Sequence, residues 1–237
     1  MLYYQHMIDD TSSERLNKFL ALQLGSSRRE ADLLIEQGAV TVNGTVATLG
    51  ARFRVGDDIA VHGKSITDER EVTYVLFHKP IGYICSRKKQ GDNDTIYALL
   101  PSEFHNLKPV GRLDKDSSGL LILTNDGDFA YQMTHPKFYK TKVYNVRLDR
   151  DLEPLHHQMI SDYGVQLEDG PSKLSLERLN DTSRKGWQIT MTEGRNRQIR
   201  RTFGSLGYTV TKLHRLSFGD YSLGDIKPGE YKIVDIQ

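Results

Sequence analysis

The chain has 237 residues, of which 38% are hydrophobic and 27% are charged, and its formal net charge is +1. No apolar run approaches the roughly 20 residues that cross a bilayer, and the first residues lack the pattern of a secretory signal. The single cysteine, Cys85, excludes an internal disulfide framework and a thiolate-rich zinc site. We therefore expect a cytoplasmic protein with no membrane partner.

Residues 13–64 predict a small domain of two helices followed by short strands, after a loosely ordered tail over residues 1–12. The first helix carries apolar residues at helical spacing: Leu16, Phe19, Leu20 and Leu24. Ser26 or Ser27 can cap the second helix, because a side-chain oxygen there accepts from the free backbone N–H groups of the first turn. Two short alternating segments then meet at the Asn-Gly pair of positions 43–44, which is a strong hairpin signal.

Residues 72–237 predict a second domain, in which β-rich and helical stretches mix without a regular βαβ repeat. Five stretches are rich in strand-forming residues: "TYVLFHKP", "LLILTNDG", "KVYNVRL", "KLSLERL" and "WQITMTEG". Three stretches have helical periodicity: "DFAYQMTH", "DLEPLHHQMISDYG" and "RNRQIRRTFGSLG". We therefore predict an α+β protein, in which a small αα-β module precedes a mixed, mainly antiparallel sheet with flanking helices.

The second predicted helix begins with Arg28 and Arg29, and Arg15 and Lys18 lie three residues apart on the first. Arginines beside the N–H groups of a helix start suit phosphate oxygens, although charge alone fits a solvated basic face equally well. The segments "RLNKFLA" and "SSRREADLLIEQGAVTVNG" resemble an RNA-binding module shared by a ribosomal small-subunit protein and several RNA-modifying enzymes. The resemblance implies docking onto structured RNA by shape and phosphate. The implied RNA contacts are Arg15, Lys18, Ser27, Arg28 and Arg29, with Lys79 of the second domain.

The stretch "PVGRLDKDSSGLLILTNDGD" at positions 109–128 combines an arginine and two aspartates with an apolar strand. One interpretation is a turn in which Asp114 and Asp116 accept from backbone N–H groups. The other is an active site, because a carboxylate at Asp114, beside Leu113 and near Arg112, stays ionised while poorly hydrated. An aspartyl-phosphate transferase motif fits poorly, because the apolar strand follows the aspartates instead of preceding them.

The same stretch resembles the signature of the pseudouridine synthase family that includes RsuA, RluB, RluE and RluF. The blocks "FYKTKVYNV" and "EGRNRQIRRTFGSLGYTVTKLHRLSFG" resemble two further signatures of that family, in the expected order. The resemblance implies isomerisation of a uridine in RNA to pseudouridine. It implies that Asp114 is the catalytic carboxylate, that Tyr144 packs against the target base and that Arg200 pairs with Asp114. It also implies substrate contacts by Arg112, Leu113, Lys142, Asn196, Arg197 and Leu213.

The stretches "GRLDKDSSGL" and "EGRNRQIRR" resemble the RluB and RluF branches more than the RsuA branch, which implies large-subunit (23S) ribosomal RNA as the substrate, either free or in an assembling subunit. A 16S enzyme and a ribosome-binding factor without catalysis are the alternatives. The reaction is redox-neutral, and the sequence has no dinucleotide fingerprint or phosphate-binding loop, so we expect no cofactor and no metal. We also expect a monomer.

The segment "GRNRQIRR" has four arginines within eight residues. Arg197 and Arg201 are four residues apart and should share one face of a helix, with Arg200 beside that face. No acidic residue interrupts the segment, so an RNA phosphate nearby would relieve the repulsion. Asp116 is expected to be part of the loop structure and to have no catalytic role.

Overall fold

The computed structural model describes residues 13–54, 56–66 and 72–235 of the chain. The tail predicted over residues 1–12 lies outside the described residues. The chain divides into two compact units, and the division falls between Val72 and Thr73. Each unit has a hydrophobic core of its own.

The first unit consists of two helices packed on a small antiparallel sheet. Its described elements are β1 (Glu14–Arg15), α1 (Leu16–Gln23), α2 (Arg28–Glu36), β2 (Val40–Val42), β3 (Thr45–Val46), β4 (Arg52–Phe53), β5 (Ile59–Val61) and β6 (Lys64–Ser65). The sheet has the strand order β3-β2-β5-β6, and β1 pairs with β4. Its core joins the helices to the sheet through Leu16, Leu20, Ala31, Ile35, Val40 and Ile59.

Two local sequence signals in this unit are confirmed. Ser27 caps α2, because its Oγ accepts from the Glu30 N–H at 3.2 Å and its own N–H donates to the Glu30 carboxylate at 2.6 Å. Asn43 and Gly44 have φ angles of +50° and +76°. A tight hairpin such as the one between β2 and β3 requires this left-handed pair.

The second unit is built on one large mixed sheet. Its strands are β7 (Tyr74–Lys79), β8 (Lys108–Val110), β9 (Ser118–Thr124), β10 (Lys142–Leu148), β11 (Val165–Leu167), β12 (Gly170–Ser172), β13 (Ser175–Arg178), β14 (Gly186–Met191), β15 (Val210–Phe218), β16 (Tyr221–Ser222) and β17 (Tyr231–Val234). Its α-helices are α3 (Gly127–Thr134), α4 (Pro154–Gln158) and α5 (Gln198–Ser205). Short 3-10 turns lie at Ile96–Leu99, Ser102–Phe104 and Pro136–Phe138, and a π-helical turn at Met159–Tyr163 follows α4.

The large sheet has the strand order β13-β14-β10-β15-β9-β7-β17, with β16 added on β15 and β8 on β9. The pairs are antiparallel except for β15 with β9, which run parallel. The predicted α+β class is therefore confirmed. The nine-residue strand β15 was not predicted, although it lies in the middle of the sheet. Every helix among the described residues is too short or too polar to span a membrane.

The parallel pairing of β15 with β9 brings two backbones unusually close. Gly119 has a φ of +110°, and a Cβ atom there would lie 2.2 Å from the carbonyl oxygen of Arg215. Only glycine permits this approach. The contact holds β15 beside the start of β9, and so beside the loop of residues 111–117 that leads into β9.

Candidate active site

A cavity of about 730 Å³ opens in the second unit beside the loop of residues 111–117. The loop, β10, β15 and the segment before α5 supply its walls. Seven of the predicted site residues line it: Arg112, Leu113, Asp114, Lys142, Tyr144, Arg197 and Leu213. Their side chains come from segments far apart in the sequence, so the strand order of the sheet is what brings them together.

The backbone of the loop that carries Asp114 is hydrogen-bonded to a buried lysine. Lys79, at the end of β7, is fully buried, and its Nζ donates to the carbonyl oxygens of Pro80, Asp114 and Ser117 at 3.0, 3.0 and 2.8 Å. The Ser117 N–H also donates to the Asp114 carbonyl at 3.1 Å, which closes a turn. The backbone of Asp114 is therefore held while its side chain stays 30% exposed.

The prediction that Lys79 contacts RNA is wrong, because a fully buried ammonium cannot reach a phosphate. Burial lowers the pKa of Lys79, against the opposing effect of Cys85 and the Asp114 carboxylate. A buried lysine keeps its charge only when its donors are satisfied, and three carbonyl oxygens do this here. Its position beneath the loop makes it a structural support of the candidate site.

The Asp114 carboxylate has two arginine neighbours at different distances. Arg197 Nη1 lies 3.2 Å from Asp114 Oδ2, and Arg200 Nε lies 3.9 Å from the same oxygen. The pairing of Arg200 with Asp114 was predicted, but Arg197 is the closer partner. Within the described chain, Arg200 Nε is buried without a hydrogen bond, so the unsatisfied nitrogen of this guanidinium faces Asp114.

Arg200 makes its close contacts with the loop around Asp114. Its Nη2 lies 3.1 Å from the Asp116 carboxylate and donates to the Asp116 carbonyl at 3.0 Å and to Ser117 Oγ at 3.2 Å. Its Nη1 donates to the Val210 carbonyl at 2.8 Å. Arg200 thus connects the loop to β15, and its charge is paired with the Asp116 carboxylate. This fits the expectation that Asp116 is part of the loop structure.

Strand β10 presents one face to the cavity. Lys142, Tyr144 and Val146 share that face because side chains alternate along a strand. On the neighbouring strand β15, Arg215 pairs with Tyr144 and Leu213 pairs with Val146. The Tyr144 ring is buried in the wall of the cavity, which Asp114 also lines. A flat aromatic wall of this kind can take the face of a base.

Two buried cations lie on the same face. Lys142 donates to the carbonyl oxygens of Lys140 and Thr192, both at 3.2 Å, and burial together with Arg215 lowers its pKa to about 8. Arg215 is 2% exposed and donates through Nε to the Leu120 carbonyl at 2.7 Å. Arg215 was missed by the sequence reasoning. Its signal was present, since it follows Leu213 by two residues and so lies on the same face of β15.

The arginine-rich segment differs from its prediction. Helix α5 begins at Gln198, and Arg197 precedes it with a φ of +47°, so Arg197 and Arg201 do not share a helix face. Asp169 pairs with Arg195 at 2.9 Å and with Arg201 at 2.7 Å. Acids from distant segments therefore relieve the repulsion that was expected to need an RNA phosphate.

Asn196, predicted to contact the substrate, is exposed and lies outside the lining of the cavity. Its backbone carbonyl accepts from Arg201 Nε at 2.8 Å. A direct contact of Asn196 with the substrate therefore stays a prediction.

The predicted RNA contacts of the first unit are exposed or half-buried. Arg15, Arg28 and Arg29 are exposed, and Lys18 lies 4.0 Å from Glu14. The capping box occupies the N–H groups of Ser27 and Glu30, and the exposed side chains of Arg28 and Arg29 are the positive charges at this helix start.

Two family models match the chain. A model described as RNA pseudouridylate synthase matches residues 73–205, and an S4 domain model matches residues 14–59. The ribosomal large subunit pseudouridine synthase B of Bacillus subtilis is 38% identical, covering 92% of this chain and 90% of that protein. The ribosomal small subunit pseudouridine synthase A of Pasteurella multocida is 37% identical, covering 94% and 97%. A crystal structure of a pseudouridylate synthase is similar, with 33% identity, a TM-score of 0.67 and coverage of 93% and 96%.

Proposed function

The chain belongs to the RNA pseudouridylate synthase family and carries an S4 domain, and on that basis we propose that it modifies a uridine of large-subunit ribosomal RNA. The observation that supports the site is one carboxylate, Asp114, held on a fixed loop at the mouth of a cavity with Arg197 at 3.2 Å. A bound factor without catalysis would not need this arrangement. The enzyme therefore acts as an isomerase.

The reaction breaks the N1–C1′ bond of the uridine and forms a C5–C1′ bond. N1 gains a proton and C5 loses one, so the change is balanced without an oxidant, a reductant or water. Asp114 starts the reaction, either by attack on C1′ or by removal of a sugar proton. Arg197 Nη1 makes a charge-assisted contact with the Asp114 carboxylate at 3.2 Å, which holds that carboxylate in place. Tyr144 holds the uracil against its ring and is the residue that we propose accepts the C5 proton.

The target uridine leaves its stack to enter the cavity. Arg112 is exposed at the cavity edge and is available to occupy the space that the uridine leaves. Leu113 and Leu213 supply apolar walls, and Lys142 supplies a positive charge below pH 8. The S4 domain docks the RNA through Arg15, Arg28 and Arg29, by contacts to phosphate.

Relatives named for the large and the small ribosomal subunit are almost equally similar to this chain, at 38% and 37% identity. The preference for the large subunit depends on the stretches "GRLDKDSSGL" and "EGRNRQIRR". The cytoplasm, where ribosomal subunits assemble, is the compartment that we propose.

The test is expression in a host that lacks its own enzyme, followed by mapping of pseudouridine on both ribosomal RNAs. The wild type should add pseudouridine to the large-subunit RNA. Asp114→Asn, an isosteric change, should lower the rate by about 10³-fold or more because it removes the reacting charge. Asp225→Asn, the same change at an exposed aspartate that does not line the cavity, is the matched control and should keep most of the activity.

Each outcome of this experiment discriminates between hypotheses. Pseudouridine on the small-subunit RNA alone would assign the chain to the alternative substrate. A wild-type protein that binds RNA but adds no pseudouridine contradicts the catalytic function. Full activity in Asp114→Asn would move the catalytic role to another residue.

A further inference from the structure

An exposed group of aromatic side chains lies at the edge of the cavity, where α3 ends and the chain turns toward β10. We call it the aromatic rim, and it consists of Tyr131, His135, Phe138 and Tyr139. Large exposed aromatic side chains near a pocket commonly mark a binding surface. Tyr139 is 74% exposed, so most of its side chain is accessible to a flat partner.

Three rings of the rim support one another and a lysine. The centroids of Tyr131 and His135 are 4.8 Å apart, and those of Tyr131 and Phe138 are 5.8 Å apart at an interplanar angle of 88°. The Lys137 Nζ lies 5.1 Å from the centre of the Tyr131 ring and 4.7 Å from that of Phe138. These contacts hold a positive charge at the edge of the cavity.

Tyr139 stands apart from those three rings. Its φ of +48° puts its backbone in the left-handed region, which residues other than glycine adopt rarely. Within the described chain, the Tyr139 ring has no ring partner and no hydrogen bond. The backbone of Tyr139 is nevertheless fixed, because its N–H donates to the Pro136 carbonyl at 3.1 Å.

The rim is continuous with the candidate active site. Pro136, Lys137 and Tyr139 line the same cavity as Asp114 and Tyr144. The cavity volume of about 730 Å³ lies in the upper part of the range of roughly 300–1,000 Å³ that holds drug-sized ligands. It therefore has room for the target nucleotide and for part of a neighbour along the strand.

We propose that Tyr139 is a stacking platform for the base next to the target uridine, and that Lys137 contacts the phosphate that joins the two nucleotides. The identity of the RNA rests on the proposed function, which this inference deepens by naming the occupant as single-stranded RNA. A base that is no longer stacked on its neighbours has an exposed face, and an aromatic side chain can stack on that face whatever the base is. The ammonium of Lys137 complements the phosphate between them.

The test measures binding, so it does not depend on turnover. The first probe is a nine-nucleotide oligouridylate. The second is the same strand with abasic sugars at every position except the central one. The two probes have equal backbone charge, and the second has a single base, which fills the cavity and leaves nothing to stack on Tyr139. The variants are Tyr139→Ala, Tyr139→Phe and Tyr163→Ala, the last a matched control because Tyr163 is also exposed, at 76%, and does not line the cavity.

The wild type, Tyr139→Phe and Tyr163→Ala should bind the full oligouridylate about 5- to 150-fold more tightly than the abasic probe, the range that one base on an aromatic ring gives. Tyr139→Ala should lose this difference and should bind both probes equally. A wild type that does not distinguish the probes overturns the proposal, and so does a Tyr139→Ala variant that still does. If the probes behave as expected and no pseudouridine is formed in the host, the proposed function fails and the stacking platform stands.

Discussion

Two groups of arginines begin helices in this protein, and their surroundings differ. Arg28 and Arg29 open α2, are exposed, and have no acidic ion-pair partner among the described residues. Arg200 and Arg201 lie in the first turn of α5, and each pairs with a carboxylate from a distant segment of the chain. The comparison shows that the arginines of a basic cluster can stay available for an external phosphate, or can form ion pairs with carboxylates of the same chain.

The difference follows from what lies opposite each helix start. Helix α2 is capped by its own first turn, so its arginines extend into solvent. Helix α5 faces the loop of residues 111–117 and the turn at Asp169, where carboxylates already lie. A phosphate is therefore expected at the start of α2. At the start of α5, the ion pairs of Arg200 with Asp116 and of Arg201 with Asp169 form what we call the internal clamp.

The largest effect is expected when the internal clamp is broken. Arg200→Gln should lower kcat by about 10²-fold, because a reacting group displaced by about 1 Å loses that much. Its hydrogen bonds to the loop and to the Val210 carbonyl are lost as well, so the free energy of unfolding should fall. Release of tritium from RNA labelled at C5 of uridine measures the rate, and urea denaturation measures the stability.

Arg201→Gln is the matched control, with the same substitution one residue along the same helix. Arg201 pairs with Asp169, which keeps its second partner Arg195 at 2.9 Å. We expect kcat to stay close to that of the wild type. Equal losses in the two variants would contradict the special role of Arg200 in holding the loop of residues 111–117.

A smaller effect is expected from the exposed cluster, and it should be on binding alone. The double variant Arg28→Gln, Arg29→Gln should weaken RNA affinity by about tenfold and reduce the slope of log affinity against log salt by roughly 1.4, at about 0.7 for each lost phosphate contact. The free energy of unfolding should stay within about 0.5 kcal/mol of the wild type, as is usual at exposed positions. Filter binding over a salt series checks the slope, and an unchanged slope would remove these arginines from the RNA interface.

The smallest effect is expected from pH, because Lys142 loses its charge in a range in which the arginines of both clusters keep theirs. Arginine stays protonated up to pH 9, whereas Lys142 has a pKa lowered to about 8. RNA affinity should therefore be highest near pH 7 and should fall by roughly threefold as the pH rises from 7 to 9, because one phosphate contact is lost. Lys142→Arg should flatten this dependence, and a wild-type affinity that does not change between pH 7 and 9 would contradict the role of Lys142.

The same pKa predicts the sign of a stability change. Lys142 is harder to protonate in the folded chain than in the unfolded chain, whose lysine has a pKa of 10.5. The unfolded state therefore binds more protons between about pH 8 and 10.5, and the contribution of Lys142 makes the folded state more stable as the pH rises through that window.

The limits of the sequence reasoning are clearest at β15 and at Lys79. The strand β15 has Lys212, His214 and Arg215 within it, so its apolar pattern is broken and no strand was predicted. The sheet tolerates Arg215 because its Nε finds the Leu120 carbonyl on the next strand, which no local pattern reveals. Lys79 was predicted to contact RNA, yet it is buried and its Nζ donates to the carbonyl oxygens of Pro80, Asp114 and Ser117.

The sequence by itself determined the features that depend on near neighbours: the Ser27 cap, the hairpin at Asn43 and Gly44, and the apolar strands β7 and β9. It also indicated Asp114 through resemblance. Only the tertiary structure decided which arginine lies closest to Asp114 and which acids neutralise the others. Those choices join residues such as Arg200 and Ser117, which are 83 positions apart. Strand order and register determine such distances, and both depend on the packing of the whole sheet.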